Sequence, residues 1–364
     1  MNENIDEQIG KVNANLEQIY LRAPSPVEQK QLCDGLNKIT EVFKRIPRMI
    51  PEYKNSYLDR VTSNEDELLL IGEDRAKIFM ASVKLEVVCN NFLIVQFEKL
   101  SELLFEFCFA LARNKILNAS MLARALHEIA AFNCYISTNL EKKLANIEKQ
   151  KEPSKINNNI DILVKFVEKA FYGSSSNATG ISFIDVKHGR DELRKIWSVE
   201  TNSYNRLCDF VHPNYGSNML YGSGSLDNLK GIGHNSLAED QFKFLLSHAS
   251  IVSIYAERFL MHMAARVLFF GELQEKTKEP SVKIENLFNE RKSKSEDKKN
   301  GKSFEEAYDL SSMGHSESVK AEYRILEKFK LKIKSRSVEM HDKSLYDIVL
   351  TNKGKVFFKL PAGD

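Results

Sequence analysis

The stretch from residue 64 to residue 149 constrains the fold of this chain more than any other feature. Its apolar residues recur at the three- and four-residue spacing of an α-helix, with one glycine and no proline among them. The recurring positions include Leu68, Ile78, Val83 and Phe92. Such a pattern predicts two or three long helices, each with an apolar face that must be buried against a neighbour. The sequence therefore predicts a mainly α fold, a bundle of long helices.

The residues before this stretch predict a helical arm. Residues 1–62 contain short amphipathic segments separated by Pro24, Pro26, Pro47 and Pro51. Proline has no amide hydrogen and a fixed φ, so each of these positions predicts a helix boundary. We therefore assign 1–62 to an N-terminal helical arm.

Helical spacing continues beyond residue 149 and predicts a bundle that extends over 63–270. The later helical segments are 160–171, 190–199, 204–211 and 236–270. Two stretches rich in glycine, serine and asparagine, 173–180 and 213–235, predict loops between them. The second loop is long enough to lie over a site.

The composition changes after residue 270 and predicts a separate C-terminal part. Residues 271–315 are rich in lysine, glutamate and serine, which favours a solvated, charged linker. Charged and apolar residues alternate over 328–336, as expected for a strand with a basic face. Two further apolar runs flank Asn352-Lys353-Gly354 and predict a β-hairpin. We assign 316–364 to a small basic α/β module. The alternative is a helix over 319–329 followed by the hairpin alone.

Composition also narrows the compartment and the classes of partner. Of 364 residues, 52 are lysine or arginine and 50 are aspartate or glutamate, so the net charge of +2 by itself predicts no polyanion partner. The five cysteines have no paired ligand spacing, which favours reduced thiols in a cytoplasmic protein. The N-terminus lacks the pattern of a secretory signal. Five ionisable residues interrupt the apolar stretch 244–270, so we expect no membrane span.

The segment Tyr204–Pro213 combines ionisable side chains with a helical apolar stripe. On a helix, residues three apart are neighbours, so Arg206 can contact Asp209, and Asp209 can contact His212. Pro213 ends the helix and leaves His212 at a loop edge. A histidine can move protons near neutral pH, and an arginine can neutralise charge that builds up on a phosphate. We take Arg206 and His212 as candidate catalytic residues, with Asp209 orienting the imidazole.

Two other interpretations stay open for the ridge of ionisable side chains formed by Arg206, Asp209 and His212. Arg336 and His341 have similar spacing, and the ridge could equally be a structural ion-pair network. A carboxylate also lies three residues before a histidine at Asp185–His188, as in the paired motifs of di-metal bundles. Such bundles take glutamates from two further helices, and Glu128 alone stands out here. We therefore predict no metal.

Arg124 and Glu128 lie one helical turn apart and are expected to pair. The pair is either a structural ion pair or, if Arg124 reaches the cleft beside His212, a source of a second cation for a phosphate. The glycines around residue 222 lack the preceding strand and the third glycine of the dinucleotide fingerprint, so no cofactor is predicted.

The segment from Arg206 to His212, late in a bundle of long helices, resembles the arginine-to-histidine motif of HEPN (higher eukaryotes and prokaryotes nucleotide-binding) domains. The chain is also similar to uncharacterised bacterial helical proteins with a helix like Arg124-Ala125-Leu126-His127-Glu128 and a downstream Tyr-x-x-Leu-(Ser/Cys)-x-x-Val-His-Pro segment. The similarity covers about 97–270. It implies phosphate stabilisation by Arg206 and general acid–base chemistry by His212. The binding or supporting residues that we add to these are Arg124, Glu128, Tyr204 and Asn205.

HEPN proteins are often RNases of toxin and phage-defence systems, and they dimerise so that two motifs form one cleft. The resemblance implies a metal-independent endoribonuclease or toxin-like defence effector that acts on RNA as a homodimer, with a protein partner or antitoxin as a further expectation. The commoner motif has a polar residue directly after the arginine, where this chain has Leu207. Some HEPN members only bind nucleotides or partners. The alternative is therefore a non-enzymatic helical module that binds a protein partner or a nucleotide.

Overall fold

The chain is mainly α, as predicted, with a small sheet near its C-terminus. The computed structural model describes residues 5–22, 25–51, 57–174, 180–212, 220, 222–225, 228–232, 236–279, 304–310, 312, 315–331, 333–341, 344–351 and 354–360. The described helices are α1 (Ile5–Arg22), α2 (Pro26–Met49), α3 (Tyr57–Thr62), α4 (Glu65–Leu70), α5 (Glu73–Ala112), α6 (Ile116–Ile147), α7 (Pro153–Tyr172), α8 (Val186–Arg194), α9 (Glu200–Val211), α10 (Ser236–Lys278) and α11 (His315–Lys328). The described strands are β1 (Gly222–Ser225), β2 (Asn228–Ile232), β3 (Phe304–Asp309), β4 (Ile333–His341), β5 (Ser344–Thr351) and β6 (Gly354–Leu360).

Three long helices, α5, α6 and α10, form the centre of the bundle. They contain 40, 32 and 43 residues, and their apolar side chains share one continuous core. Among the described residues, α5 is the one helix long and apolar enough to cross a membrane. However, 56% of its most apolar window is buried inside the bundle, which is typical of the core helix of a soluble protein.

The segment interpreted as an arm contributes to the same core. Leu16 of α1 and Leu36 of α2 are fully buried. Pro26 lies in the first turn of α2, where backbone N–H groups have no hydrogen-bond partner within the helix, so a proline costs nothing there. The predicted helix boundary at Pro47 was wrong, because α2 continues to Met49. A proline in the last turn disturbs few of the helical hydrogen bonds, so the helix tolerates it. Pro24 lies outside the described residues.

A tight turn reverses the chain between α5 and α6. Asn114 has a φ of 55°, a left-handed conformation that asparagine tolerates better than most residues. The amide of Lys115 then donates to the carbonyl of Ala110 at 2.8 Å, which closes the end of α5. This turn packs α6 against α5 and sets the position of Arg124 and Glu128.

Two short helices, α8 and α9, lie against α6. Gly189 permits the approach of α8, since a Cβ atom there would lie 2.4 Å from the carbonyl oxygen of Ala131. Within the stretch 213–235, predicted as a loop, β1 and β2 form an antiparallel hairpin, so that prediction was wrong over these strands. Glycine and serine have a low strand propensity, so the sequence pattern does not predict these strands. The hairpin is formed by pairing between the two backbones. The rest of this stretch, apart from residue 220, lies outside the described residues.

The C-terminal module contains a four-stranded sheet in the order β3-β6-β5-β4. The predicted hairpin is confirmed, since β5 and β6 pair in antiparallel register. The predicted linker over 271–315 was wrong at both ends: α10 continues to Lys278, and β3 pairs in parallel with β6. Residues 280–303 lie outside the described residues. The module has its own apolar core, which includes Val349 and Phe358.

The two predictions for the start of the module are each correct in part. A helix, α11, precedes the β5–β6 hairpin, as the alternative proposed, and the predicted basic strand also forms, as β4. The strand begins at Ile333 rather than at residue 328, because α11 continues through Lys328.

Candidate functional site

The candidate site is built on α9, which carries the predicted catalytic residues. Leu207 and Phe210 bury one face of this helix in the bundle. The helix ends at Val211, and His212 takes an extended conformation, with φ −71° and ψ 145°. The amide of His212 donates to the carbonyl of Cys208 and completes the last turn. The predicted helix end before Pro213 is therefore confirmed, although Pro213 itself lies outside the described residues.

Arg206 is partly buried and is held by α10 rather than by its own helix. Its Nε donates to Oε1 of Gln241 at 3.0 Å, and its Nη2 donates to the carbonyl oxygen of Asp240 at 3.3 Å. The guanidinium also lies 4.2 Å from the centre of the Phe244 ring, close enough for a cation–π contact. Burial lowers the pKa of Arg206 from its ordinary value, and Asp240 opposes part of that effect.

Asn205, Asp209 and His212 are exposed. Within the part of the chain that the structure describes, Asp209 contacts neither Arg206 nor His212 through a hydrogen bond or ion pair. The ridge of three paired groups predicted from helical spacing is therefore not formed. The reason is that Arg206 is directed toward Gln241 and Phe244 of α10, while Asp209 is solvated.

The supporting residues Arg124, Glu128 and Tyr204 come together as one group between α6 and α9. Arg124 Nε donates to Oε1 of Glu128 at 3.0 Å, which confirms the predicted pair. The hydroxyl of Tyr204 donates to the same oxygen at 2.8 Å. On the other side, the guanidinium carbon of Arg190 lies 3.5 Å from the centre of the Tyr204 ring. Tyr204 is thus fixed between a carboxylate and a cation.

A buried polar network at the start of α9 was missed from the sequence. Glu200 and His127 are fully buried, and Oε1 of Glu200 lies 3.0 Å from Nε2 of His127. The same oxygen accepts a hydrogen bond from Nε of Arg190 at 2.6 Å. Oε2 accepts from Arg194 at 3.3 Å and from the hydroxyl of Thr201 at 3.1 Å. Burial alone would raise the pKa of Glu200, but His127 and Arg190 outweigh it and lower the pKa to about 2.

A second histidine extends this network into α10. Nδ1 of His127 lies 3.4 Å from Nε2 of His248, with the ring planes inclined by 9°. The ionised Glu200 can only accept, so Nε2 of His127 carries the proton of the bond between them. Burial and the nearby His127 lower the pKa of His248 well below its ordinary value. The Trp197 ring lies tilted against both imidazoles, at 5.6 Å from His127 and 5.4 Å from His248 between ring centres.

The network joins α6, α8, α9 and α10 at one point. Because Glu200 is the first residue of α9, its contacts fix the start of the helix that ends at His212. His127 lies within the Arg124–Glu128 motif, and its place in that motif was the one indication in the sequence that His127 could belong to the site. Nothing local in the sequence indicated Glu200, since its partner His127 is 73 residues away.

The described residues offer one group of three potential metal ligands: His262, Glu322 and Asp347, all buried. Nη2 of Arg258 lies between the two carboxylates, so a protein cation already occupies that position. Asp185, by contrast, caps α8 by accepting from the amide of Lys187 at 2.8 Å. All five cysteines are free, as expected for reduced thiols.

Searches with the sequence and with the structure find no matching protein-family model, curated protein or solved structure.

Proposed function

We propose that this chain is a cytoplasmic, metal-independent endoribonuclease of the HEPN type that acts as a toxin-like defence effector. The end of α9 supports this most directly, since His212 is exposed where the helix stops. Arg206, on the same helix, has a guanidinium held in place by α10. A proton-transferring group open to solvent and a cation with a fixed position are what RNA cleavage without a metal requires.

RNA carries its own nucleophile, the 2′-hydroxyl. In the proposed reaction, His212 accepts the proton of this hydroxyl while the oxygen attacks the adjacent phosphorus. The bond from phosphorus to the 5′-oxygen breaks, and that oxygen takes a proton from a second histidine that begins the reaction protonated, the His212 of the other subunit in a homodimer. The products are a 2′,3′-cyclic phosphate and a 5′-hydroxyl.

Arg206 would stabilise the charge on the phosphate oxygens in this reaction. Its Nε and Nη2 donate to α10, and no described residue accepts from Nη1. A guanidinium has five N–H donors, so Arg206 keeps donors for a phosphate while its position stays fixed. Arg124 offers a further cation beside Tyr204, within the group that Glu128 organises.

A non-enzymatic module that binds a protein partner or a nucleotide is the second candidate. The contacts of Arg206 favour it, because a guanidinium bonded to Gln241 and packed on Phe244 also fits a purely structural role. In that case α9 is one packed helix of the bundle, and His212 is one exposed residue among others.

Growth of cells that express the protein separates the two candidates. We expect the wild type to arrest growth with breakdown of cellular RNA, and His212→Ala to abolish both effects. His188→Ala is the matched control, since His188 is also an exposed histidine, on the short helix α8. Equal growth with the wild type and with His212→Ala would support the binding module instead.

The size of the protein in solution provides a second test. A cleft that needs two imidazoles requires two subunits, so we expect a homodimer at the concentrations at which RNA is cleaved. A strict monomer that still cleaves RNA would contradict the proposed pairing of two α9 ends.

A further inference from the structure

A row of basic side chains on α10 faces the C-terminal module. Arg258, His262 and Arg266 are spaced four residues apart and therefore lie on one face of the helix. This face is far along α10 from Gln241, which holds Arg206. We call these three residues the α10 basic row.

Carboxylates of the module cover the first half of the row. Nη2 of Arg258 contacts a carboxylate oxygen of Glu322 in α11 and lies 3.0 Å from Oδ2 of Asp347 in β5. Nε2 of His262 lies 3.7 Å from Oε2 of Glu322. These charged groups are almost completely removed from solvent, with side-chain exposures of 0% for both carboxylates and 2% for Arg258.

Tyr323 covers the second half of the row. Its ring lies 4.2 Å from the guanidinium carbon of Arg266 and 5.2 Å, between centres, from the ring of His262. Arg266 also contacts Glu141 of α6 at 3.1 Å, so it has partners on both sides. The module therefore touches every member of the row through an acidic or an aromatic group.

The character of this contact is unusual for a permanent interface. The module has an apolar core of its own, and Tyr323 is the one described side chain of the module that packs against the core of the bundle. Buried ion pairs contribute less net stability than apolar packing of similar size, because both charges lose their hydration. Polar contacts between parts with separate cores permit relative movement. Release of the module would therefore break these ion pairs and the contact of Tyr323, but it would leave the apolar core of each part assembled.

Carboxylates and phosphates make the same contacts with arginine. Both accept two parallel N–H bonds from a guanidinium, and aromatic rings and bases both stack on its plane. Glu322, Asp347 and Tyr323 therefore present to the row the chemistry that a nucleic-acid strand would present. Steps of four residues along a helix repeat about every 6 Å, so the row is an extended binding surface.

We propose that the α10 basic row is a binding surface for the phosphate backbone of single-stranded nucleic acid, and that Glu322, Asp347 and Tyr323 of the module mask it. The surface is distinct from Arg206 and His212 and does not depend on RNA cleavage. The module then acts as an acidic cover that a polyanion must displace.

Binding of a fluorescein-labelled 2′-O-methyl oligouridylate, which has no free 2′-hydroxyl and so cannot be cleaved in the proposed reaction, to the full chain tests this proposal. The unmasking variants are Glu322→Gln, Asp347→Asn and Tyr323→Ala, measured singly. The matched control is Asp309→Asn, which makes the same charge change as the first two variants on the same module. Asp309 pairs with Lys359 at 3.5 Å, and its side chain is 62% exposed, in contrast to the fully buried Glu322 and Asp347.

We expect each unmasking variant to bind the oligouridylate about fivefold or more tightly than the wild type, the lower end of typical coupling between two sites. Tyr323→Ala should show this gain although it changes no charge. The dependence of the logarithm of affinity on the logarithm of salt concentration should steepen by about 1.4, since each of two arginines releases about 0.7 counterion from a single strand. Adding Arg258→Gln to Glu322→Gln should remove the gain.

Three outcomes would overturn the proposal: no gain in any unmasking variant, an equal gain in Asp309→Asn, or a gain that survives Arg258→Gln. Circular dichroism and the fluorescence of Trp197 verify that each variant keeps the bundle folded. If a carboxylate variant fails to fold, Tyr323→Ala still decides the question. These binding measurements do not depend on whether His212 is catalytic. The masking proposal and the RNase proposal can therefore fail separately.

Discussion

Replacing Glu200 by glutamine removes a buried negative charge and keeps the size of the side chain. In the wild type, burial raises the pKa of Glu200, but His127 and Arg190 outweigh it and lower the pKa from 4.5 to about 2. At about 1.4 kcal/mol per pH unit, this difference corresponds to about 3 kcal/mol of stability. Glu200 is fully buried, so little of this is lost to solvent screening. We expect Glu200→Gln to lower the free energy of unfolding by about 3 kcal/mol at pH 7.

The pH dependence of this effect has a definite sign. A carboxyl group with a lower pKa in the folded state stabilises the protein above its unfolded pKa and loses that effect as pH falls. For Glu200 the loss takes place between about pH 4.5 and about pH 2. Other carboxyl groups also titrate in this range, so the quantity to compare is the difference in the free energy of unfolding between the wild type and Glu200→Gln. That difference should shrink steadily on acidification.

The assay is urea unfolding followed by tryptophan fluorescence. Trp197 is the single tryptophan of the chain, and its ring lies 5.6 Å from that of His127, so it reports on this part of the bundle. Glu7→Gln is a control, because Glu7 forms an exposed pair with Lys11 and should leave the unfolding midpoint unchanged. A Glu200→Gln variant within about 1 kcal/mol of the wild type at pH 7, or a difference that persists at pH 2, would refute this reasoning.

Three further predictions concern other contacts of the bundle. Gly189→Ala should destabilise the fold by about 1–3 kcal/mol in thermal unfolding, because the new Cβ would lie 2.4 Å from the Ala131 carbonyl oxygen and force α8 away from α6; an unchanged melting temperature would contradict the close approach. Tyr204→Phe should cost about 1 kcal/mol in the same measurement, since it removes the hydroxyl that donates to Glu128; a variant as stable as the wild type would show that this bond contributes nothing. Burial raises the pKa of three thiols to about 12, those of Cys89, Cys108 and Cys134. In the native protein at pH 8, a disulfide reagent should therefore react slowly with these three thiols. Rapid labelling of all five cysteines would contradict the packing.

The parts of the fold that were predicted from sequence are those defined by local periodicity. The long helices α5, α6 and α10 follow from apolar spacing over tens of residues, and the β5–β6 hairpin follows from two runs around a turn. The Arg124–Glu128 pair was also predictable, because its members are one helical turn apart.

Contacts between distant residues could not be predicted in this way. Strand β3 pairs with β6 across about 50 residues, and the charged composition around β3 concealed it. Arg206 was expected to contact Asp209, three residues away, but its guanidinium binds Gln241, 35 residues away. Helical spacing predicts which side chains lie on one face of a helix. The contacts of a long arginine side chain depend also on the helix that packs beside it, which spacing does not predict. Glu200 was missed for the same reason.

The end groups of RNA cut by the purified protein test the proposed function most directly. We expect the wild type to cleave RNA in the presence of a metal chelator and to leave 2′,3′-cyclic phosphate and 5′-hydroxyl ends. His212→Ala should abolish these products, whereas His188→Ala should retain them. Cleavage that requires an added divalent metal, or that continues unchanged in His212→Ala, would contradict the assignment of His212 as the proton-transferring group.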